Sequence, residues 1–97
     1  MDRTAIKQLI QDQRSYFSTG ITKDLSFRLK QLAVLRKAVK AREHELFRAL
    51  KEDLHKPAFE AYGGETAIVI SESDHAMRHL RCWAKPRRVR TPLSHPP

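Results

Sequence analysis

The fold is decided by residues 24–57, DLSFRLKQLAVLRKAVKAREHELFRALKEDLHKP. Its large aliphatic residues recur every three or four positions: Leu25, Leu29, Leu32, Leu35, Val39, Leu46, Leu50 and Leu54. That spacing puts side chains on one face of an α-helix. Asp24 suits the N-cap, because its carboxylate can accept a backbone N–H, and Pro57 ends the pattern, because it has no N–H to donate. The sequence predicts helix over residues 24–55, as one long helix or as two with a break near Ala41.

A shorter helical pattern precedes this stretch. Its apolar and amide residues are Ile6, Leu9, Ile10, Gln13, Tyr16 and Phe17. Asp2 or Thr4 can cap its start, and Gly20 stands where a left-handed residue would end it. The sequence predicts a helix over residues 3–17, whose narrow apolar face must lie against something else.

A third pattern begins after Pro57, which also suits the first position of a new helix. Its stripe, with steps of three and four residues, is Phe59, Tyr62, Thr66, Val69, Ser73, Ala76, Leu80 and Trp83. Thr66 and Ser73 are polar where the stripe favours apolar groups. Gly63 and Gly64 each cost roughly 1 kcal/mol relative to alanine inside a helix. We nevertheless predict helix over residues 57–84, since the trio at residues 68–70 is too short for a strand.

The carboxyl-terminal segment differs in composition from the rest. Residues 85–97 contain four of the five prolines, which predicts an extended or disordered tail. The expected fold class is therefore all-α, with three to four amphipathic helices and an extended Pro/Arg-rich tail. We expect two regions, a helical segment at residues 1–84 and a basic tail at residues 85–97.

The length and the net charge of the chain limit the functions that it can have. Ninety-seven residues form one small domain or a piece of a larger one, too little for a cofactor domain and a substrate domain together. The net charge is +8, and residues 75–97 hold six basic residues and no acidic one. The chain has one cysteine and no signal-like or membrane-spanning apolar run, so we expect a cytoplasmic protein.

Two candidate sites involve the last predicted helix. His75, His79 and Cys82 share one helical face, which is metal-ligand spacing in principle. Arg78 and Arg81 would repel a divalent cation, and no fourth ligand is evident, so we expect no metal site. Cys82 as a nucleophile would need a base and an oxyanion site, and neither is recognisable. We expect Cys82 to be an inert, partly buried thiol.

Two further candidates involve phosphate and nucleic acid. The run Gly63-Gly64-Glu65 is not a phosphate loop, because no strand precedes it and no Gly-Lys-Ser/Thr comes after it. The basic tail could contact phosphates with Trp83 as a stacking group, but a tryptophan on an apolar helical face is more often in a core. We therefore assign no catalytic, cofactor-binding or metal residue.

A family resemblance covers nearly the whole chain. In order, its residues are Phe17 and Gly20; Phe27-Arg28; Gln31-Leu32; Ala49-Leu50; Asp53-Leu54-His55-Lys56-Pro57; Glu60-Ala61-Tyr62; Ser71-Glu72; Asp74; His79-Leu80; and residues 83–93, WAKPRRVRTPL. These resemble the beginning of class 3, or fatty-aldehyde type, aldehyde dehydrogenases. Gly63-Gly64, Thr66 and Ser73 depart from the family, which usually has better helix formers or apolar residues there.

The resemblance implies a role. In the family these helices precede and pack on the NAD(P)-binding domain, and the Pro- and Arg-rich stretch leads into a hairpin used in oligomer contacts. The enzyme oxidises an aldehyde to a carboxylic acid with NAD or NADP, a cysteine nucleophile, a glutamate base, an asparagine oxyanion donor and a glycine-rich turn. All of these lie downstream of the matched region, and Cys82 does not match the nucleophile.

Two hypotheses remain for function. We expect an amino-terminal fragment of an aldehyde dehydrogenase, inactive alone, whose partner is the rest of the enzyme or a second copy joined through apolar helix faces. The alternative is a stand-alone basic helical module that binds an anionic partner. For that module a membrane surface would be a weak partner, and we do not expect nucleic acid.

Overall fold

The computed structural model describes residues 2–95, and the regular elements in that range are all helical. In chain order they are α1, Arg3–Ser18; a 3-10 turn, Ile21–Lys23; α2, Leu25–Ala41; α3, Glu43–Leu54; α4, Ala58–Ala61; a π-helical turn, Tyr62–Thr66; and α5, Ala67–Trp83. The π-helical turn joins α4 to α5 without interruption. The all-α fold class is confirmed, and so are the three helical stretches.

Both ends of α1 and the start of α2 lie where the sequence predicts them. The Asp2 carboxylate accepts the N–H of Ala5 at 2.7 Å, which caps α1. Gly20 lies after α1 in the left-handed conformation, with φ 79°, where a side chain would be strained. The Asp24 carboxylate accepts the N–H of Phe27 at 3.1 Å and caps α2.

The long central stretch forms two helices. This is one of the two arrangements that the sequence allowed. Arg42 separates α2 from α3 with φ −108° and ψ 20°, outside helical geometry. His55 ends α3 in the left-handed conformation, with φ 54°. Pro57 is the extended cap residue before α4 rather than its first helical residue. The prediction for Pro57 was therefore wrong by one position.

The main packing in the molecule is between α2 and α5. An ion pair joins them, with Arg36 Nε 2.7 Å from Asp74 Oδ1. The most buried residues of residues 2–95 are small: Ala61, Thr66 and Ser73. Small side chains let helices approach closely, and here the two hydroxyls are paired with acceptors. Thr66 Oγ1 donates to Glu43 Oε1 at 3.0 Å, and Ser73 Oγ donates to the carbonyl oxygen of Val69 at 2.8 Å.

Three side chains near the ends of the third helical stretch are more exposed than the sequence predicts. Trp83 is 58% exposed and Phe59 is 87% exposed, so neither is in a core. Cys82 is exposed rather than partly buried. The π-helical turn explains the case of Phe59, because a wider turn inserts a residue and rotates the preceding helix face relative to that of α5.

The packed region is small for the length of the chain. The radius of gyration is 19.8 Å, whereas a compact domain of this length has about 12.5 Å. The accessible surface is 8773 Å², against about 5,700 Å² for a compact protein of 11.3 kDa. In residues 2–95 no large side chain is fully buried. The helices therefore expose apolar faces that a compact monomer would cover.

The carboxyl-terminal segment begins after α5. Residues 86–92 form neither helix nor strand, and a turn lies at residues 93–95. The tail's extended conformation stays a prediction, and Pro96 and Pro97 lie outside the described residues. Among the helices of residues 2–95, none is long and apolar enough to cross a bilayer.

Candidate functional site

A groove of about 350 Å³ lies beside α3, and we call it the α3 groove. It is lined by Val39, Leu46, Ala49, Leu50, Asp53, Glu65, Thr66 and Val69. The end of α2, one face of α3, the π-helical turn and the start of α5 supply these residues. Most of the lining is apolar, as in surfaces that bind another apolar group.

Polar groups lie at one side of the α3 groove. Glu65 is in the π-helical turn, and its Oε1 is 3.4 Å from Lys56 Nζ. The other oxygen of the same carboxylate, Oε2, is shielded from solvent and has no hydrogen-bond partner, although the side chain as a whole is 40% exposed. An acceptor left in that state costs roughly 1–3 kcal/mol, or more when it is charged. That oxygen lies beneath the surface of the groove, so it is not available to a molecule that would enter the groove.

A second groove, of about 490 Å³, lies between α2 and α5. Its lining residues are Thr22, Phe27, Arg28, Gln31, Leu32, Leu35, Ala76 and Leu80. Arg28 Nε donates to the carbonyl oxygen of Thr22 at 2.6 Å, which holds the 3-10 turn against α2. Most of its lining residues are apolar, so it presents an apolar surface between the two helices.

Helix α1 adds a third apolar surface. It has no buried residue. Its large apolar side chains are each at least 42% exposed: Ile6, Leu9, Ile10, Tyr16 and Phe17. Tyr16 faces Phe27 of α2 with ring centroids 6.4 Å apart, while the rest of the helix projects from the bundle. An amphipathic helix with an uncovered face is typical of a surface that packs on another domain.

Two of the three candidate metal residues, His75 and His79, stack with Trp83. The ring centroids of His75 and His79 are 4.3 Å apart, and His79 is stacked on Trp83 at 5.6 Å. His79 Nδ1 is 2.8 Å from the carbonyl oxygen of His75. A carbonyl can only accept, so this nitrogen carries the hydrogen. Within the described range no three His, Cys, Asp or Glu side chains converge as metal ligands would.

The glycine pair does not fit a nicotinamide dinucleotide. Such a cofactor places its pyrophosphate at the N-terminus of a helix that comes directly after a strand. Gly63 and Gly64 lie inside a helical run, in the π-helical turn, where backbone N–H groups are used within the helix. Neither glycine has a positive φ. The arrangement offers no free N–H groups to a phosphate there.

The structure therefore brings together surfaces rather than reactive groups. Sequence reasoning found the helical faces and assigned no site residue, but it missed the shielded oxygen of Glu65. Nothing in the sequence around Glu65 indicates that one oxygen of its carboxylate will lack a hydrogen-bond partner. The stack of His75, His79 and Trp83 was also missed, although the i, i+4, i+8 spacing places the three on one face.

Several known proteins are similar to this chain, and the three named here are aldehyde dehydrogenases. The chain is 41% identical over 88 residues to 4,4'-diaponeurosporen-aldehyde dehydrogenase of Staphylococcus aureus, which is 91% of this chain and 19% of that protein. It is 38% identical over 79 residues to the dimeric NADP-preferring aldehyde dehydrogenase of Canis lupus familiaris, 81% of the chain and 17% of the relative. It is 41% identical over 76 residues to human aldehyde dehydrogenase family 3 member B1, 78% of the chain and 16% of the relative. No family model matches the chain. The chain spans about a fifth of the length of these relatives.

Proposed function

Because the chain belongs to the aldehyde dehydrogenase family, we propose that it forms the amino-terminal helical segment of an enzyme that oxidises aldehydes to carboxylic acids with NAD or NADP. In this proposal the chain supplies packing surfaces and no catalytic, cofactor-binding or metal residue. Residues 1–84 are the docking helices, and residues 85–97 are a basic tail. The enzyme would be cytoplasmic.

One observation supports this proposal most strongly. The relatives match nearly all of this chain, yet the chain matches only about a fifth of each relative. The chain, tail included, also exposes about 3,000 Å² more surface than a compact protein of its mass, and the large apolar side chains of α1 are among the exposed residues. Such surface is usually covered by another part of the same protein or by a partner.

The chemistry of the described residues supports a structural role. An aldehyde oxidation needs a nucleophile, a base and a bound hydride acceptor. Cys82 is exposed near the end of α5, and the adjacent Arg81 is a permanent cation that cannot act as a base. Helix packing alone cannot supply the missing groups. The proposal therefore assigns activity to the remainder of the enzyme and assembly to this segment.

The proposed function is tested with a chimera. Residues of the dog enzyme that align with this chain are replaced by this chain, and NAD(P)H production is measured with medium-chain and aromatic aldehydes. We expect turnover by the chimera and none by the 97-residue chain alone or by the dog enzyme without its aligned segment. Turnover by the isolated chain after removal of host enzymes, or an inactive chimera that is folded, would contradict the proposal.

A further inference from the structure

We infer that residues 83–93, WAKPRRVRTPL, bind the surface of an anionic lipid bilayer, and we call these residues the Trp83 segment. Its basic side chains face the lipid phosphates, and its exposed apolar side chains enter the headgroup region. The inference goes beyond the proposed function, because it concerns where the protein is held and not what the enzyme oxidises. It depends on residues of this chain alone.

The cations in and beside the Trp83 segment are concentrated and exposed. The segment contains Lys85, Arg87, Arg88 and Arg90, and Arg78 and Arg81 precede it on α5. All six side chains are exposed, and residues 75–97 contain no acidic residue. The ion pairs within residues 2–95 use other cations, namely Arg36, Arg42 and Lys56. The six positive charges are therefore available to an anionic surface outside the chain.

Exposed apolar side chains lie among those cations. Trp83 is 58% exposed at the end of α5, Val89 is 81% exposed and Leu93 is fully exposed. The Trp83 ring is stacked on His79 with centroids 5.6 Å apart, which holds the indole in place on the helix. Tryptophan is enriched where membranes meet water, because one part of its ring is apolar and its N–H needs a polar partner. The segment therefore combines an interfacial anchor with positive charge.

The backbone limits how deep the Trp83 segment can lie. Residues 86–92 form neither helix nor strand. Backbone N–H and C=O groups without partners are costly in hydrocarbon, so an irregular segment stays among the hydrated headgroups. At that depth lysine and arginine place their aliphatic stems along apolar surface and keep their charges near the lipid phosphates. The contact is therefore peripheral and confined to the membrane surface.

Two other anionic partners fit only part of this surface. Single-stranded nucleic acid would use the cations and the indole ring, because its bases stack on aromatic rings. It would give no role to Val89 and Leu93, whose aliphatic side chains have no ring to stack on a base. An acidic protein surface would account for the cations alone. A lipid bilayer accounts for the cations, the indole and the two aliphatic side chains together, and the other partners become outcomes of the test.

The test measures co-sedimentation with lipid vesicles, for the isolated chain and for the chimera. Both proteins should bind vesicles of phosphatidylcholine mixed with phosphatidylserine, and neither should bind phosphatidylcholine alone. Added salt should weaken the binding, because it screens the attraction between the cations and the lipid. A folded chimera that does not bind the anionic vesicles would overturn the inference, since the segment would then be covered in the enzyme. If the chimera does not fold, the isolated chain decides, and its failure to bind overturns the inference.

Charge variants locate the contact. One variant combines Arg87→Gln, Arg88→Gln and Arg90→Gln, and its control combines Arg3→Gln, Arg14→Gln and Arg48→Gln. All six arginines are exposed, and each variant lowers the net charge of +8 by three. A cation at an anionic surface changes affinity about fivefold, so the first variant should bind the anionic vesicles about a hundredfold more weakly. The control should lose less than about tenfold. Equal losses would overturn the inference, because they would show attraction by net charge without a defined segment.

Apolar variants and fluorescence separate lipid from the other anions. Leu93→Gln should weaken vesicle binding several-fold and leave the binding of a single-stranded oligonucleotide unchanged. Its control is Leu54→Gln, at an exposed leucine at the end of α3, which should leave both unchanged. Trp83 is the only tryptophan of the chain, and its emission should shift to shorter wavelength on anionic vesicles as the indole leaves water. Tighter binding to the oligonucleotide than to the vesicles at the same salt, or an unshifted emission in the vesicle-bound chain, would overturn the inference.

Discussion

Helix α1 and the α2–α5 pair have similar amphipathic sequences but different structural situations. The pair is joined by the Arg36–Asp74 ion pair and closes over Ser73, which is buried and hydrogen-bonded. Helix α1 has no buried residue and its apolar side chains face water. The difference shows that periodicity specifies a helical face, whereas a partner must be present for that face to be buried. Within residues 2–95 the chain contains a partner for α2 and none for most of α1.

The largest effect is expected where the packing is closest. Ala61 is fully buried where α4 meets α3, and Ala58 is exposed in the same short helix. Ala61→Leu should lower the opening free energy of the α3 and α5 amides by about 1–3 kcal/mol, because added methylenes overpack a filled site. Amide hydrogen exchange measures it. Ala58→Leu is the control, and an equal loss of protection in both variants would contradict the packing described for Ala61.

A smaller, stabilising change is expected in the π-helical turn. An alanine methyl at Gly63 or Gly64 would meet open space, with no non-neighbouring atom within 4 Å. Gly64→Ala should therefore raise the opening free energy of α5 by up to about 1 kcal/mol, through helix propensity alone. The same exchange experiment detects it. Lower protection in α5 would mean that the glycine backbone is needed for the wider turn. Gly20→Ala is the opposite control, since a positive φ disfavours a side chain there.

The ion pair between α2 and α5 should contribute less to the opening free energy than the packing of Ala61 does. The Arg36 and Asp74 side chains are 33% and 41% exposed, so water and salt screen their attraction. Asp74→Asn should lower the opening free energy of the α2 and α5 amides by at most about 1 kcal/mol, and by less in high salt. Glu45→Gln, which removes an ion pair to Arg42 with both side chains 71% exposed, should cost nothing measurable. A salt-independent loss in Asp74→Asn would contradict a purely electrostatic contribution.

The smallest effect is expected in α1. Leu9→Gln in the isolated chain should change the protection of α2 and α5 by no more than about 0.5 kcal/mol, as for surface substitutions generally. Leu32→Gln, the same replacement at a half-buried position of α2, should cost more because it removes apolar contact with α5. Equal effects of the two variants would show that α1 packs on the pair in solution, and the contrast between the regions would be lost.

Most of the fold could be predicted from the sequence, because it depends on local signals. The stripes, the Asp2 and Asp24 caps and the Gly20 stop give helices whose ends agree with the structure to within a residue or two. The position of Arg42 between two helices was one of two arrangements that the sequence allowed. Local capping and periodicity act over a few residues, so a single sequence carries them.

Burial along the third stripe could not be predicted. Thr66 and Ser73 interrupt an apolar pattern, yet they are the buried members, because their hydroxyls find Glu43 and the Val69 carbonyl. Phe59 and Trp83 complete the pattern but lie beyond the region that α2 covers. Which members of a stripe are covered depends on tertiary contacts and on the π-helical turn, and neither has a local signature. The same holds for the shielded oxygen of Glu65.

The central proposal is that this chain is a segment whose apolar faces are covered by the rest of an enzyme. The most direct test monitors thermal unfolding of the isolated chain by the near-ultraviolet circular dichroism of Trp83, with sedimentation to fix the mass at several concentrations. Few large side chains are buried, while ordering each residue's backbone costs about 1–2 kcal/mol. We therefore expect a broad transition, and a mass that rises with concentration as exposed faces associate. A monomer at every concentration, with a sharp cooperative transition and a strong, ordered tryptophan signal, would contradict the claim.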